Sequence, residues 1–326
     1  MTIMTFRDRL PSIFVDTFKF SCDGDLFIDE NWKLEGVTSQ FVEDADTYHD
    51  RYFDRLDFLN LTDRCFTLAG IDYAKKLTVL DIGSGGGSSV FSTAKLLVNA
   101  EVVASDISLP LLKKVTEFVA KKDVLRARIA AVAFDLHRQV FKDSQFDMIV
   151  GMAILHHLVN PLDALKNVVT SLKVGGQIIL VEPLEGGHLA LLTLYDQILL
   201  VLQNLHLEED RLAKLISALR FDYQARMGVP IIQEWTPHLD DKWIFGEAYL
   251  ERLRRDLGLA SIKIYPAQSQ MRYLFETTFR SLLSDSGNSN LDIPPDVVRV
   301  IKDFDLGISN ELKKRLCPTG IIVMTK

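Results

Sequence analysis

Carboxylates and glycines come together at one point of the chain, where residues 79–87 read Val-Leu-Asp-Ile-Gly-Ser-Gly-Gly-Gly. Asp81 lies in an apolar run that begins at Leu77, which is typical of a buried parallel strand. The glycines then open a helix predicted over 86–98. A glycine turn lets the backbone approach a ligand without an intervening Cβ atom. In doubly wound sheets, this strand–turn–helix unit is the place where a nucleotide-like cofactor binds.

The spacing of the glycines separates two kinds of cofactor. A dinucleotide site requires Gly-x-Gly-x-x-Gly, and here Gly83 and Gly85 fit while Ser88 stands at the third position. S-adenosylmethionine has an ammonium, a carboxylate, a sulfonium and a ribose but no phosphate. Asp81 beside the turn therefore favours this cofactor over NAD. Taken alone, the turn is equally consistent with a helix-opening loop that binds nothing.

Two further acidic residues follow predicted strands. Asp106 ends the strand at 101–105, about 20 residues beyond the turn, where a carboxylate can bind both ribose hydroxyls. Its alternative role is to cap the helix that begins near Pro110, and Ser108 suits that role better. Asp135 comes shortly after the strand at 129–133.

The motif Asp-x-Gly-x-Gly-x-Gly at 81–87 resembles the first motif of class I S-adenosylmethionine-dependent methyltransferases. Later motifs keep the order and spacing of that family over about 77–183, with Val174 where the family usually has proline. The resemblance is closest to the ubiquinone-biosynthesis-like and small-molecule group. It implies an α/β fold with a doubly wound, seven-stranded, mostly parallel sheet and helical lid insertions. The cofactor contacts that it implies are Asp81, Gly83, Ser84, Gly85, Asp106, Ile107, Asp135, Leu136, Gly151 and Met152.

Catalytic groups are less clearly marked than the cofactor site. His156 and His157 follow the strand predicted at 146–150, at the carboxyl edge where ligands bind, so either is a candidate base for an acceptor. The alternative is that both line the pocket wall. Glu182 and His188 are two further groups that could reach a substrate.

Metal binding is not predicted. His238 with Asp240 and Asp241 forms a polar cluster, but its spacing matches no metal motif. The three cysteines lie far apart, with neither metal-ligand spacing nor an even disulfide framework. This cysteine usage fits a reducing compartment, and the first residues lack the apolar core of a signal peptide, so we expect a cytoplasmic location.

Composition restricts the partners. The chain has 326 residues, 48% of them hydrophobic and 25% charged, as in an ordinary globular enzyme, and its net charge is −7. Because it lacks a dense basic stripe, nucleic acid is not an expected partner.

Four regions are predicted. Residues 1–76 form an N-terminal hairpin, turning at Asp23-Gly24, and a helical cap over 46–69 whose Tyr48 and Arg51 are candidates to touch the cofactor. The cofactor-binding core follows, then an insertion that forms a substrate lid, then the end of the sheet with its own helical insertion. The boundaries of the last three regions are 77–183, 184–245 and 246–326.

The insertion contains a strongly apolar stretch at 188–207, too short and too polar at its ends for a membrane span. It has three possible burial partners: the lid core, a second subunit of a homodimer, or a bilayer surface that delivers a lipophilic acceptor. We expect a methyltransferase for a small molecule, with oxygen as the favoured acceptor atom. The alternatives are a catalytically silent cofactor-binding regulator or scaffold, and a methyltransferase for protein or RNA.

Overall fold

A sheet of nine strands runs through the part of the chain that the computed structural model describes, residues 5–33, 45–52, 56–227 and 241–326. The strands are β1 Phe20–Asp23, β2 Leu26–Asp29, β3 Thr78–Ile82, β4 Glu101–Asp106, β5 Ile129–Ala133, β6 Phe146–Met152, β7 Leu172–Pro183, β8 Ser261–Pro266 and β9 Thr319–Thr325. The helices are α1 Phe6–Arg9, α2 Ala45–Tyr52, α3 Leu56–Ala69, α4 Ser88–Leu96, α5 Leu109–Ala120, α6 Asp123–Arg126, α7 Pro161–Ser171, α8 Glu185–Asn204, α9 Arg211–Arg226, α10 Glu247–Asp256, α11 Leu274–Asp285, α12 Pro295–Gly307 and α13 Asn310–Arg315.

The strand order is β1-β2-β5-β4-β3-β6-β7-β9-β8. The neighbours from β2 to β7 pair in parallel, whereas β1 pairs antiparallel with β2 and β9 antiparallel with both β7 and β8. From β3 the chain builds the sheet outward through β4 and β5, and it then returns to add β6 on the other side. The carboxyl ends of β3 and β6 therefore flank the switch point at which open α/β sheets bind ligands. This topology confirms the predicted doubly wound α/β fold.

The sheet is larger than the predicted seven strands because the N-terminal hairpin joins its edge. Asp23 pairs with Leu26 across a turn in which Gly24 has a φ of +58°. Leu26 then lies beside Ala131 in the parallel pairing of β2 with β5. The hairpin thereby covers the edge of β5, whose backbone hydrogen-bonding groups would otherwise lack partners.

Alternating side chains place β3 between two hydrophobic cores. Leu80 and Ile82 belong to one core, whereas Val79 belongs to the other together with Val90 of α4. Because successive side chains of a strand point to opposite faces, Asp81 shares the face of Val79. The carboxylate of Asp81 is therefore directed to the side of the sheet that α4 covers.

Helices from both insertions share a third core. Leu191, Leu194 and Ile198 of α8 are fully buried in it, together with apolar residues of α9, α11 and α12. The main apolar face of the 188–207 stretch is thus covered by the chain itself, which favours the lid core over a second subunit or a bilayer. Among the described helices, none has the length and apolar character that crossing a membrane requires.

A close backbone crossing fixes the start of α8. A Cβ atom at Gly187 would lie 2.2 Å from the backbone nitrogen of Pro318, whereas one at Gly186 would come no closer than 3.0 Å, to the Arg315 carbonyl oxygen. We expect Gly187→Ala to lower the free energy of unfolding by about 1–3 kcal/mol, as overpacking does, and Gly186→Ala to lower it less. Urea unfolding followed by circular dichroism measures both variants. Because each gains the same helix propensity, equal free energies of unfolding would contradict the predicted crossing.

Candidate functional site

The turn between β3 and α4 requires glycine. Gly83, Gly85 and Gly87 have φ values of +64°, +51° and +97°, a region that other residues rarely adopt. Gly87 is the N-cap of α4, and the Ser84 N–H donates to the Ser105 carbonyl at 2.9 Å. The turn is thereby attached to the end of β4, which brings the two predicted cofactor strands together.

Asp81 is a buried carboxylate in an unusual state. It is fully buried, and neither of its oxygens has a hydrogen-bond partner among the described residues; the buried Ser84 hydroxyl also has none there. Burial, reinforced by the negative charge of Asp106, raises the pKa of Asp81 to about 8. Because buried polar groups nearly always have partners, Asp81 and Ser84 together indicate a place for a polar ligand.

Asp106 connects the turn to the next helix. Its two carboxylate oxygens accept from the Gly85 N–H and the Ser108 N–H, each at 2.8 Å. Burial raises the pKa of Asp106, although these backbone donors oppose the shift. As expected, the side chain of Ser108 rather than Asp106 caps α5, where it accepts from the Leu111 N–H. The Asp106 carboxylate therefore lies at the turn, with lone pairs left for a ligand.

The other residues predicted on this side of the turn have different surroundings. The Asp135 carboxylate is bound by His137 through its backbone N–H at 2.9 Å and its Nδ1 at 2.8 Å, and this contact lowers the pKa of Asp135. Leu136 packs into a hydrophobic core. The carbonyl of Ile107 accepts from the indole N–H of Trp32 at 2.8 Å. Trp32 is a neighbour of the site that no sequence signal indicated.

The end of β6 closes against the same turn. A Cβ atom at Gly83 would lie 2.4 Å from Cγ1 of Ile154, and one at Gly151 would lie 2.9 Å from Cγ2 of Ile154. Between these residues, Met152 is buried and Ala153 adopts a left-handed φ of +60°. The β6 loop thus reverses sharply and carries the following histidines away from the cofactor turn by only a few residues.

The N-terminal cap also reaches the turn. A Cβ atom at Gly86 would lie 2.4 Å from Nδ1 of His49, so α2 packs directly against the glycines. The side chains of Tyr48 and Arg51, predicted to touch the cofactor, lie outside the described residues. A close lid of this kind helps to exclude water from a bound ligand.

S-adenosylmethionine fits the polar groups at this turn. Asp81 and Ser84 supply a carboxylate and a hydroxyl without partners, which match the ammonium and carboxylate of the methionine part. Asp106 supplies acceptors for ribose hydroxyls. A pyrophosphate would meet two buried carboxylates here, which argues against a dinucleotide.

A buried histidine–glutamate pair lies beyond the β6 loop. Glu182 at the end of β7 is fully buried and accepts from the N–H groups of Ile154 at 3.0 Å and Leu155 at 2.7 Å. Its other oxygen lies 2.6 Å from Nδ1 of His156. Burial alone would lower the pKa of His156, but the carboxylates of Glu182 and Asp241 outweigh it and raise that pKa. Glu182 is thus a positioning residue that directs Nε2 of His156 outward, rather than a group that meets the substrate itself.

Asp241 completes this cluster from a distant part of the chain. Its Oδ1 lies 3.5 Å from Nε2 of His156 and 3.4 Å from Nδ1 of His157, and its Oδ2 accepts from Arg226 at 3.0 Å. Arg226 also donates to Asp222 at 2.5 Å. Burial would raise the pKa of Asp241, but these cationic neighbours lower it below the usual value. The cluster therefore holds an ionised carboxylate between two imidazoles and a buried guanidinium.

His188 lies in α8 near this cluster. Its Nδ1 lies 2.8 Å from the Leu184 carbonyl oxygen, and burial lowers its pKa to about 4, so it stays neutral. Tyr223 packs edge-on against its ring. The other polar candidates, His238 and Asp240, lie outside the described residues.

Comparison with known proteins places the cofactor core in a family. Residues 80–180 match the family described as a methyltransferase domain. An uncharacterized methyltransferase of Schizosaccharomyces pombe is 30% identical over 113 residues, which are 33% of this chain and 41% of that protein. The chain thus spans about two fifths of the length of this curated relative.

Solved structures resemble the chain more distantly. Phosphoethanolamine N-methyltransferase 2 of Haemonchus contortus, in complex with S-adenosylmethionine, is 14% identical with a TM-score of 0.48, covering 82% of this chain and 52% of that one. The YcgJ protein of Bacillus subtilis is 15% identical with a TM-score of 0.46, covering 82% and 98%. These scores are too low to carry a functional argument. The family match, the strand order and the carboxylates at the glycine turn agree, and residues 80–180 are a methyltransferase domain of the class I, S-adenosylmethionine-dependent family.

Proposed function

We propose that the whole chain is a methyltransferase that transfers the methyl group of S-adenosylmethionine to a small-molecule acceptor, with oxygen as the acceptor atom. The observation that carries the proposal is Asp81, a buried carboxylate without a partner at a glycine turn, in a family whose cofactor bears an ammonium group. In this proposal Asp81 and Ser84 bind the methionine end. Asp106 binds the ribose, Ile107 and Asp135 lie near the adenine, and Gly83, Gly85, Gly151 and Met152 line the cleft.

The cofactor, when bound, supplies a methyl group on a good leaving group, so much of the catalysis is orientation and desolvation. The β6 loop orients the acceptor side because Glu182 fixes the N–H groups of Ile154 and Leu155. A hydroxyl acceptor must also lose its proton, and we assign that step to the cluster of His156 and His157. Both follow β6 at the carboxyl edge of the sheet.

The insertions support a small acceptor. Helices α8 and α9 share a core with α11 and α12 beside the carboxyl edge of β7, where they can enclose a lipophilic molecule. The net charge of −7 disfavours RNA. A protein substrate would require an open groove, and a silent regulator would have its acceptor side blocked. A cytoplasmic location and a monomeric or homodimeric state belong to the proposal; the free Cys22, Cys65 and Cys317 are consistent with a reducing compartment.

Titration calorimetry tests the cofactor part of this proposal. S-adenosylhomocysteine should bind with a micromolar dissociation constant, while NAD should give no heat of binding under the same conditions. Mass spectrometry of the purified protein should then detect a co-purified small acceptor or its methylated product. Binding of NAD in the absence of binding to S-adenosylhomocysteine would contradict the proposal.

The buried Asp81 predicts a pH dependence. Its pKa of about 8 in the folded chain exceeds the ordinary value of 3.8, so the folded state binds more protons within that range. The contribution of Asp81 to the free energy of unfolding is therefore fully present at low pH and is lost as the pH rises toward 8. Without cofactor, Asp81→Asn should lose less stability over this range than the wild type, as urea unfolding at a series of pH values would measure. Parallel losses in both proteins would show that Asp81 titrates normally.

A further inference from the structure

Two imidazoles and a carboxylate converge where the β6 loop meets the segment before α10. His156 and His157 are adjacent in sequence, and Asp241 reaches them from beyond α9. We infer that these three residues form a site for one divalent transition-metal ion, with Zn²⁺ the best match. The role of this ion in activating an acceptor rests on the proposed function, whereas its binding does not.

The distances between the donor atoms fit an ion better than direct pairing. Oδ1 of Asp241 is 3.5 Å from Nε2 of His156 and 3.4 Å from Nδ1 of His157. Two ligands at ordinary bond lengths on a tetrahedral Zn²⁺ are about 3.3–3.5 Å apart. All three donor atoms lie within 4.8 Å of one another, and rotation of the partly exposed His157 ring would shorten the remaining edge.

Glu182 provides the outer contact that a metal-binding histidine needs. Its buried carboxylate is 2.6 Å from Nδ1 of His156, which fixes the ring and leaves Nε2 directed at Asp241. A histidine ligand commonly donates its second ring N–H to a carboxylate in this way. Oδ2 of Asp241 is likewise held by Arg226, which leaves Oδ1 toward the imidazoles.

The charge and chemistry of the cluster also favour a transition metal. The carboxylates of Glu182, Asp222 and Asp241 outnumber the cationic side chains of Arg226 and Lys242, so the cluster is net negative when both imidazoles are neutral. Mg²⁺ and Ca²⁺ prefer sites made of oxygen ligands, whereas imidazole suits Zn²⁺ and its neighbours in the first transition row.

Three protein ligands leave one position open on a tetrahedral ion. Asp241 is 44% exposed at its side chain, so the open position can be reached from outside. An oxygen-bearing acceptor is the class of ligand that suits it. An acceptor hydroxyl bound there would lose its proton to water more readily than a free hydroxyl, which would explain how this site prepares an oxygen for methylation.

The test uses the full, untagged chain after removal of metal with a chelator. Titration calorimetry with ZnCl₂ should show one equivalent bound per chain, and Co²⁺ should give the visible absorption of a four-coordinate ion. His157→Asn and Asp241→Asn should each weaken Zn²⁺ binding at least 10-fold. Asp222→Asn is the matched control because Asp222 also binds Arg226 but lies outside the three ligands, so it should leave Zn²⁺ affinity within about 3-fold.

Several outcomes would overturn the inference. Equal losses in Asp241→Asn and Asp222→Asn would assign the effect to the Arg226 contacts, and Zn²⁺ binding that disappears only in Cys22→Ser would assign it to the exposed thiol. Absence of saturable Zn²⁺ binding would exclude the site even if the chain binds S-adenosylhomocysteine. Conversely, Zn²⁺ binding without cofactor binding would refute the proposed methyl transfer alone. Thermal unfolding of each variant confirms that it is folded.

Discussion

Asp106→Ala is expected to weaken the binding of S-adenosylhomocysteine by about 10- to 150-fold, which corresponds to about 1.5–3 kcal/mol. The carboxylate would bind ribose hydroxyls through charge-assisted hydrogen bonds, which are stronger than neutral ones. It also holds the turn, because it accepts from the Gly85 N–H at 2.8 Å. Removing it therefore costs both a ligand contact and the position of the turn. Calorimetry with the product measures the loss directly.

Asp135→Ala is the matched comparison. Asp135 also follows a strand at this edge, but its carboxylate is bound by His137 and its side chain is 40% exposed. We expect its removal to weaken binding by less than 10-fold, since water replaces the exposed carboxylate. Unchanged affinity in Asp106→Ala, with thermal unfolding like that of the wild type, would show that the ribose is held elsewhere.

Glu182→Ala is expected to lower the free energy of unfolding by about 3–5 kcal/mol. The fully buried carboxylate accepts from the N–H groups of Ile154 and Leu155 and pairs with His156. Alanine would leave these donors buried without a partner, and an unsatisfied donor retains its full desolvation cost. Urea unfolding, with the slope checked against the wild type, measures the change.

Glu182→Gln separates the hydrogen bonds from the charge. The amide keeps one acceptor oxygen for the N–H groups of Ile154 and Leu155, but it removes the negative charge beside His156. We expect a smaller loss of stability than in the alanine variant. If alanine and glutamine are equally destabilising, the charge of Glu182 rather than its hydrogen bonds to the loop holds this region together.

The fold could be predicted because its signals are local. Apolar runs end in acidic residues at Asp81 and Asp106, and the observed strands β3 and β4 cover those runs. Ser108 was recognisable as a helix cap from its position alone. The additional strands β1 and β2 had a visible turn, but their pairing with β5 depends on contacts between distant segments, which periodicity does not report.

The cluster beyond the β6 loop could be predicted only in pieces. His156, His157, Glu182 and Asp241 were each recognisable as chemically capable, yet no spacing in the sequence joins them. Their meeting depends on α9 ending near β6, which places Arg226 against Asp241. Leu136 gives the opposite lesson, because a family position next to the cofactor motif packs into the core here. Local patterns thus identify side chains, while the course of the chain decides which of them meet.

The shared core of α8, α9, α11 and α12 limits how this protein can change its substrate. Each insertion leaves the sheet at a different place, yet neither can bury its apolar side chains without the other. Exchanging one insertion for that of a relative would expose Leu194 and Phe275 to mismatched neighbours, whereas exchanging both together would keep their fit. Substrate preference in such proteins should therefore be inherited and transplanted as a pair of segments, and chimeras with a single exchange should aggregate.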